Sequence, residues 1–350
     1  MICPAKRELS GGSVLCNSGV KVGPLGFGAG MLGNVFSEID ENVAHDTLLA
    51  AARAGNSPID TSPFYGAGLS ELRVGRILRA LTRDSLVIST KVGRVAEALR
   101  GAAIPSQEEV RNQFAKGLPH RLRFDYSFDG TMRSVEQSLL RLGTDYLDIL
   151  LIHDVDVWTH GDDGFERRFS EAMNGSYRAL ERLRSEGVVK AIGVGINEAE
   201  ICVRFAHAGD FDVMLLAGRY SLLEQPAALD FLPLALEKRI GVLLGGVFNS
   251  GILATGPIAG ARYNYRPAPP SVLKKVTEMQ AICEAHGVNL FEAALQFPLA
   301  HPAVSSLVLG AVSPQEVARN IEAVRVEIPR ALWEDLKAAH LLERSAPTPA

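Results

Sequence analysis

Short apolar runs alternate with amphipathic stretches along nearly the whole chain. The runs at 25–28, 57–60, 86–91, 146–152, 189–194, 212–216, 240–245 and 305–309 predict buried strands. Between them, 42–54, 70–81, 131–142, 175–186, 226–238 and 271–286 repeat apolar residues at helical spacing. In 131–142, for example, Met132, Val135, Leu139 and Leu142 form one stripe, with Arg133, Glu136 and Gln137 off it. Eight strand–helix units without a long linker or a break in composition predict a closed (β/α)8 barrel of the TIM type over one domain, residues 1–350. An open doubly wound sheet is the structural alternative. The segment Val14–Val22, with Asn17-Ser18-Gly19 at its centre, predicts a hairpin ahead of the first strand. Residues 330–341 predict one extra helix after the eighth unit, and 1–13 and 343–350 are expected to be frayed.

Three connections, 94–130, 154–173 and 254–270, are too long for simple strand–helix turns. All follow strand ends on one rim, where barrel enzymes carry their chemistry. The first holds Phe124, Tyr126 and Phe128; the second Trp158, His160 and Phe165; the third Tyr263, Tyr265 and Arg266. They are read as rim loops with a substrate or cofactor role, against the plainer reading of loops packed on themselves.

Composition narrows the classes. An apolar share of 47 % is ample for a core in 350 residues. A net charge of −4 gives no reason to expect nucleic acid or an acidic membrane as partner. The cysteines (Cys3, Cys16, Cys202, Cys283) are scattered and form no Cys-x-x-Cys pair, which fits reduced thiols better than a disulfide framework. Residues 1–12 lack the apolar core of a signal peptide, and no apolar run reaches a membrane span. A cytoplasmic enzyme is the resulting expectation.

The chemistry gathers at three predicted strand ends: Asp60 and Tyr65 after the second strand, Lys91 at the end of the third, His153 at the end of the fourth. Parallel strands in one sheet deliver these groups to one rim. A phenol with a pKa of ~10 is a poor base at neutral pH, and a nearby ammonium favours phenolate. The carboxylate keeps the lysine charged and oriented. Such a set suits proton transfer to or from an alcohol or carbonyl oxygen, the partner step of hydride transfer. Taken singly, each residue has a plainer reading: a turn cap, a half-buried tyrosine, a surface lysine, a core histidine. Their joint placement favours function.

Two other patterns are set aside. Gly28-Ala29-Gly30-Met31-Leu32-Gly33 satisfies G-x-G-x-x-G by letter, but the next helical pattern starts only after Asp40-Glu41, so no helix opens at the glycines. His153, Asp154, Asp156, His160, Asp162 and Asp163 crowd one loop without any established ligand spacing, and no metal is expected.

The stretch Asp60-Thr61-Ser62-Pro63-Phe64-Tyr65-Gly66 resembles the aldo-keto reductases, as do Ser89-Thr90-Lys91, Leu151-Ile152-His153, Lys190–Gly195, Ser250–Leu253 and Leu309-Gly310-Ala311 followed by Asn320. The resemblance runs from about Val14 to Ile321. It implies the barrel, with the hairpin closing its bottom, and Asp60, Tyr65, Lys91 and His153 as the catalytic set. It implies a nicotinamide cofactor held by Gly28, Ala29, Gly30, Asp60, Asn197, Phe248, Asn249, Ser250, Gly251, Leu253, Gly310, Ala311, Glu316, Arg319 and Asn320. Tyr65, His153, Phe124, Tyr126 and Trp158 would meet the substrate. Some positions depart from the family pattern. Ala217 stands where many relatives carry glutamine, and Gly245 where a nicotinamide-stacking aromatic is common. Gly195-Ile196-Asn197 replaces Ser-Asn, which leaves Asn197 as the candidate for the carboxamide. Glu316, where NADP-preferring relatives place a basic residue, would repel a 2′-phosphate and favours NAD over NADP, while Arg319 works the other way.

Within the family, Phe124–Gly130, Leu216–Gln225 and Phe248–Gly256 most resemble the sugar-dehydrogenase branch, L-fucose or D-threo-aldose 1-dehydrogenases with pyridoxal 4-dehydrogenase close by. That implies a small sugar-like or pyridoxal-like substrate, oxidised as a cyclic hemiacetal to a lactone. The alternative from another class is a cofactor-binding regulatory subunit without turnover.

Overall fold

The computed structural model describes residues 12–15, 18–55, 57–98 and 114–349. The antiparallel hairpin of β1 (Ser13–Leu15) and β2 (Val20–Val22) comes first, turning through Gly19 at a φ of 71°. There follow β3 (Leu25–Gly28), β4 (Ile59–Asp60), β5 (Ile88–Val92), β6 (Arg94–Ala98), β7 (His120–Phe124), β8 (Leu147–His153), β9 (Val189–Ile196), β10 (Val213–Ala217), β11 (Gly241–Gly245), β12 (Arg262–Tyr263), β13 (Arg266–Pro267) and β14 (Val304–Gly310). Eight of them close into a barrel in the order β3-β4-β5-β8-β9-β10-β11-β14, with every neighbouring pair parallel. The chain is thus the expected (β/α)8 barrel.

Along a strand, alternate side chains face opposite sides. On β8, Leu150 and Ile152 therefore face the surrounding helices and join the large core between barrel and helices. Ile149 and Leu151 face the axis, where they pack with Ala191, Val213, Leu215, Leu243 and Val308. Leu15, Val20 and Val22 of the hairpin join this same inner cluster. The hairpin is thus the floor of the barrel.

The outer helices Glu41–Arg53, Leu69–Leu78, Phe128–Leu142, Arg178–Ser185, Phe231–Lys238 and Pro270–Ala285 lie where helical spacing predicts them. Ala199–Ala208 and Leu290–Gln296 escape that reading. The second is nearly all apolar and buries Leu290, Phe291, Ala293, Ala294 and Leu295, so it shows no polar stripe.

The long connections are more ordered than expected. Most of 154–173 is a helix, Val157–Glu171, capped by the Asp156 side chain on the Thr159 N–H. Its glycines and its dense charges hide the stripe, and Gly161 interrupts it with non-helical torsions. The 94–130 connection contains the β6–β7 hairpin, with 99–113 outside the described residues; 254–270 contains the β12–β13 hairpin. The C-terminal tail is not frayed over its described part. Ala346 is buried, and its carbonyl accepts the Lys337 ammonium at 2.7 Å. Residues 1–11 and 350 lie outside the described residues. Among the described residues, no helix is long and apolar enough to cross a membrane.

Candidate active site

The last inward position of each barrel strand defines the mouth. Around the ring these are Gly28, Asp60, Lys91, His153, Gly195, Ala217, Gly245 and Gly310. Three neighbours carry polar chemistry; the other five carry no side chain beyond a methyl group. A Cβ on Gly195 would stand 3.4 Å from Lys91 Cε, and one on Gly245 would meet only Leu215 and Ala217 at 3.6 and 3.9 Å. One side of the mouth is polar and the other is a bay without side chains beyond a methyl group.

On the polar side the Lys91 ammonium spends its three hydrogens on Asp60 Oδ2 (2.6 Å), the Thr61 carbonyl (2.8 Å) and the Tyr65 hydroxyl (3.2 Å). Ser89 Oγ donates to the other Asp60 oxygen at 2.7 Å. Lys91 is 1 % exposed. Burial alone would push its ammonium pKa down, but Asp60 and Tyr65 outweigh burial and the net shift is upward, so the cation persists. Tyr65 is half-buried; burial pushes its phenol up to about 12, with Lys91 pulling the other way. The expected lowering by lysine is present, and in this state desolvation exceeds it.

The Gly28–Gly33 glycines have a packing role. Gly30 lies 3.5 Å from the Tyr65 ring, measured to an added Cβ, and a Cβ on Gly33 would collide with the Tyr65 backbone at 2.7 Å. Their small size lets the first rim loop press against the tyrosine. Only a single 3-10 turn, Met31–Gly33, follows Gly30, and the α-helix Glu41–Arg53 starts later, capped by Asp40.

His153 ends β8 at 7 % exposure. Its Nδ1 lies 3.1 Å from Ser62 Oγ and 3.3 Å from Arg94 Nη1, and its Nε2 lies 3.4 Å from Asp154 Oδ1. Burial first, then Arg94 and Lys91, hold the imidazole well below its ordinary pKa, so it is neutral. The Arg94 guanidinium sits between the Phe64 and Phe124 rings, 4.2 and 4.4 Å from their centroids. Phe114 packs edge-on against Phe64. Arg94, Ser62, Phe64 and Phe114 escape the sequence reading. The signal for Arg94 was a charge set in an apolar strand pattern three residues after Lys91.

Tyr126 does not line the pocket expected for it. It is fully buried, and its hydroxyl donates to the His153 carbonyl at 2.8 Å and approaches His160 Nε2 at 3.1 Å. It props up the strand end from behind. Phe124 covers Arg94, and Trp158 is half-exposed at the rim, where it lines a concavity with Asn197, Ala217, Asn249, Ser250 and Tyr265. Asn197 lines it while its Nδ2 donates to Asp156 Oδ2 at 2.9 Å. Asp154, Asp156 and His160 all have protein partners, and among the described residues no cluster suited to a metal ion is found.

At the far side of the bay Asn249, Ser250 and Gly251 take positive φ in succession (46°, 61° and 97°). Asn249 is clamped by Ser221 Oγ (2.6 Å) and Glu224 (2.9 Å). The Asn249 and Gly251 N–H groups are bonded to the Gly246 and Phe248 carbonyls at 2.9 and 3.0 Å, which makes this a tight, self-bonded wall. Beyond, Phe248 stacks on Phe291, and the Arg319 guanidinium lies 4.0 Å over the Phe291 ring. Asn320 is buried. Glu316 closes the first turn of the helix Pro314–Ala323, taking the Val312 N–H at 2.9 Å while its own N–H goes to Ser313. A bay walled by glycine and alanine at the strand ends, beside the Asp60, Tyr65, Lys91 and His153 set, leaves room for a cofactor next to the proton-transfer groups.

The aldo/keto reductase family model matches residues 24–340. A D-threo-aldose 1-dehydrogenase of Pseudomonas sp. is 38 % identical over 95 % of this chain and 97 % of its own. A pyridoxal 4-dehydrogenase of Microbacterium luteolum is 36 % identical over 94 % of this chain and 97 % of its own. A holo-form aldo-keto reductase structure from Bacillus halodurans superposes with a TM-score of 0.71 at 25 % identity, covering 97 % of both chains. Sequence, barrel and relatives agree: this chain belongs to the aldo/keto reductase family and is an NAD(P)-dependent oxidoreductase.

Proposed function

We propose that the protein oxidises the C1 hydroxyl of a cyclic hemiacetal, an aldose such as L-fucose or a D-threo-aldose, to the lactone, with NAD favoured over NADP. The observation that carries this reading is the Lys91 ammonium, which donates at once to Asp60 and to the Tyr65 hydroxyl beside His153. Tyr65, as phenolate, takes the hydroxyl proton. Lys91, held by Asp60, stabilises the phenolate. The neutral His153 ring donates an N–H to the same substrate oxygen and orients it. The nicotinamide, when bound, supplies the acceptor for the C1 hydride, and the electrons of the O–H bond close the C=O bond. Run backwards, Tyr65 becomes the acid.

Gly28, Ala29, Gly30 and Asp60 would border the nicotinamide, with Asn197 at the carboxamide. Phe248, Asn249, Ser250, Gly251 and Leu253 would hold the pyrophosphate, and Gly310, Ala311, Glu316, Arg319 and Asn320 the adenosine. Tyr65, His153, Phe124 and Trp158 would meet the substrate. NAD is favoured because Glu316 brings a carboxylate to the adenosine end.

The 36 % identity to a pyridoxal 4-dehydrogenase supports a second reading, pyridoxal as the hemiacetal. Steady-state rates of nicotinamide reduction with L-fucose, D-arabinose, L-galactose and pyridoxal, each with NAD and NADP, test both. Turnover of an aldose with NAD is expected; turnover of pyridoxal alone would replace the first reading with the second. Inactivity on all four would sink both.

A further inference from the structure

We propose that Arg94 is a positioning residue that fixes the tautomer of His153 and keeps the ring neutral, so that Nε2 carries the hydrogen offered to the substrate oxygen. The proposal rests on the reading of His153 as the group that orients that oxygen.

The first argument is a count of donors. A guanidinium has only hydrogens to give and accepts nothing. Its Nη1 lies 3.3 Å from His153 Nδ1, so that nitrogen must present its lone pair. Ser62 agrees. Its Oγ already accepts the Phe64 N–H at 3.0 Å, which leaves its own hydrogen for Nδ1 at 3.1 Å. Two donors on Nδ1 put the single proton of the neutral ring on Nε2.

The second argument is charge. Asp154 Oδ1 lies 3.4 Å from Nε2, and a carboxylate there, left alone, would favour imidazolium. Arg94 Nη2 binds the other Asp154 oxygen at 2.7 Å and neutralises that pull. The remaining groups around the ring act in the same direction or not at all. Lys91 adds positive field from β5, with Asp60 behind it already paired to the lysine. Tyr65 and Phe64, from the β4 loop, pack in T-shaped contact with the imidazole, their centroids 6.0 and 6.1 Å away, and bring no charge. Asn197 reaches Asp154 Oδ1 at 3.4 Å as a neutral donor.

The third argument is rigidity. Phe64 and Phe124 hold the guanidinium plane from both sides, and Arg94 is 6 % exposed. It is therefore shielded from the substrate side. Lysine could not replace it, because one planar fork has to serve Nδ1 and the carboxylate together.

The test is nitrogen NMR of the full-length protein labelled at histidine, with the His153 resonances identified by their loss in His153→Asn. The wild type is expected to show the Nε2–H tautomer, without titration between about pH 5 and 8, where an ordinary histidine titrates. Arg94→Met frees Asp154, and His153 is expected to take up a proton inside that window, with a matching acid limb in kcat/KM. Adding Asp154→Asn to Arg94→Met is expected to return the ring to the neutral form. A wild-type His153 that carries its proton on Nδ1, or titrates at the ordinary value, overturns the proposal even if no variant folds. So does a folded Arg94→Met protein with an unchanged histidine spectrum. The spectra need neither substrate nor turnover, so failure on every hemiacetal would remove the functional reading and leave this result standing.

Discussion

Tyr65 is pulled two ways, raised by burial and lowered by Lys91 3.2 Å away. Tyr65→Phe removes only the oxygen, so turnover is expected to fall by ~10²–10⁴-fold, the usual worth of a general base. Cofactor affinity, read by quenching of intrinsic fluorescence, should stay close to wild type. A variant that keeps more than about a tenth of the rate would take Tyr65 out of the base role. Lys91→Met removes the one group that lowers the phenol through both charge and a hydrogen bond, so the oxidation profile should move to higher pH as well as lose rate. An unshifted profile would make Lys91 merely the partner of Asp60. Because that substitution strands a buried carboxylate, the pH profile of Lys91→Met with Asp60→Asn is the cleaner comparison. At this scale the sequence showed the groups whose position follows from a strand end. It hid Arg94, whose meaning depends on two partners some sixty residues away, and it misled on Tyr126, because an aromatic in a long connection reads as exposed.

The strands were legible because burial on both faces leaves an unbroken apolar run, and a period of two then fixes which residues look inward. The helix Val157–Glu171 was not, since tertiary contacts define it: Glu198 accepts the Val157 and Trp158 N–H groups at its start. Glu316 shows the same limit. Its place in the chain suggests a ribose contact, whereas the structure also gives it a capping duty on the Val312 N–H. The cofactor prediction therefore needs a control. Glu316→Arg should raise the NADP/NAD ratio of kcat/KM by roughly ten- to thirty-fold, equal to ~1–2 kcal/mol at a partly wet rim. Glu316→Gln, which keeps an acceptor for Val312, should raise it in the same direction by less. An unchanged ratio in both, or a wild type that already prefers NADP, would assign the choice to another group, with Arg319 the first candidate.

Taken whole, the barrel is closed below by hairpin side chains and left open above, with its eight last inward positions split three to five between polar groups and near-absent side chains. The eight-unit count was legible; the bay was not, because a glycine at a strand end reads as a turn signal until its neighbours around the ring are known. This split has a consequence for how the molecule can be interrogated. Truncation, the usual way of finding functional residues, has nothing to remove at Gly28, Gly195, Ala217, Gly245 and Gly310. An alanine scan of the mouth would register Asp60, Lys91 and His153 and pass over the larger part of the surface. The informative experiment adds atoms. At Gly245 a Cβ meets its neighbours only at ordinary contact distance, so Gly245→Val should fold with little change in melting temperature and lose cofactor affinity because its methyl groups occupy the bay. A variant that binds cofactor as tightly as wild type would show that the space above Gly245 is not used. On the proposed reading the cofactor surface is written in missing atoms, and enlargement is what tests it.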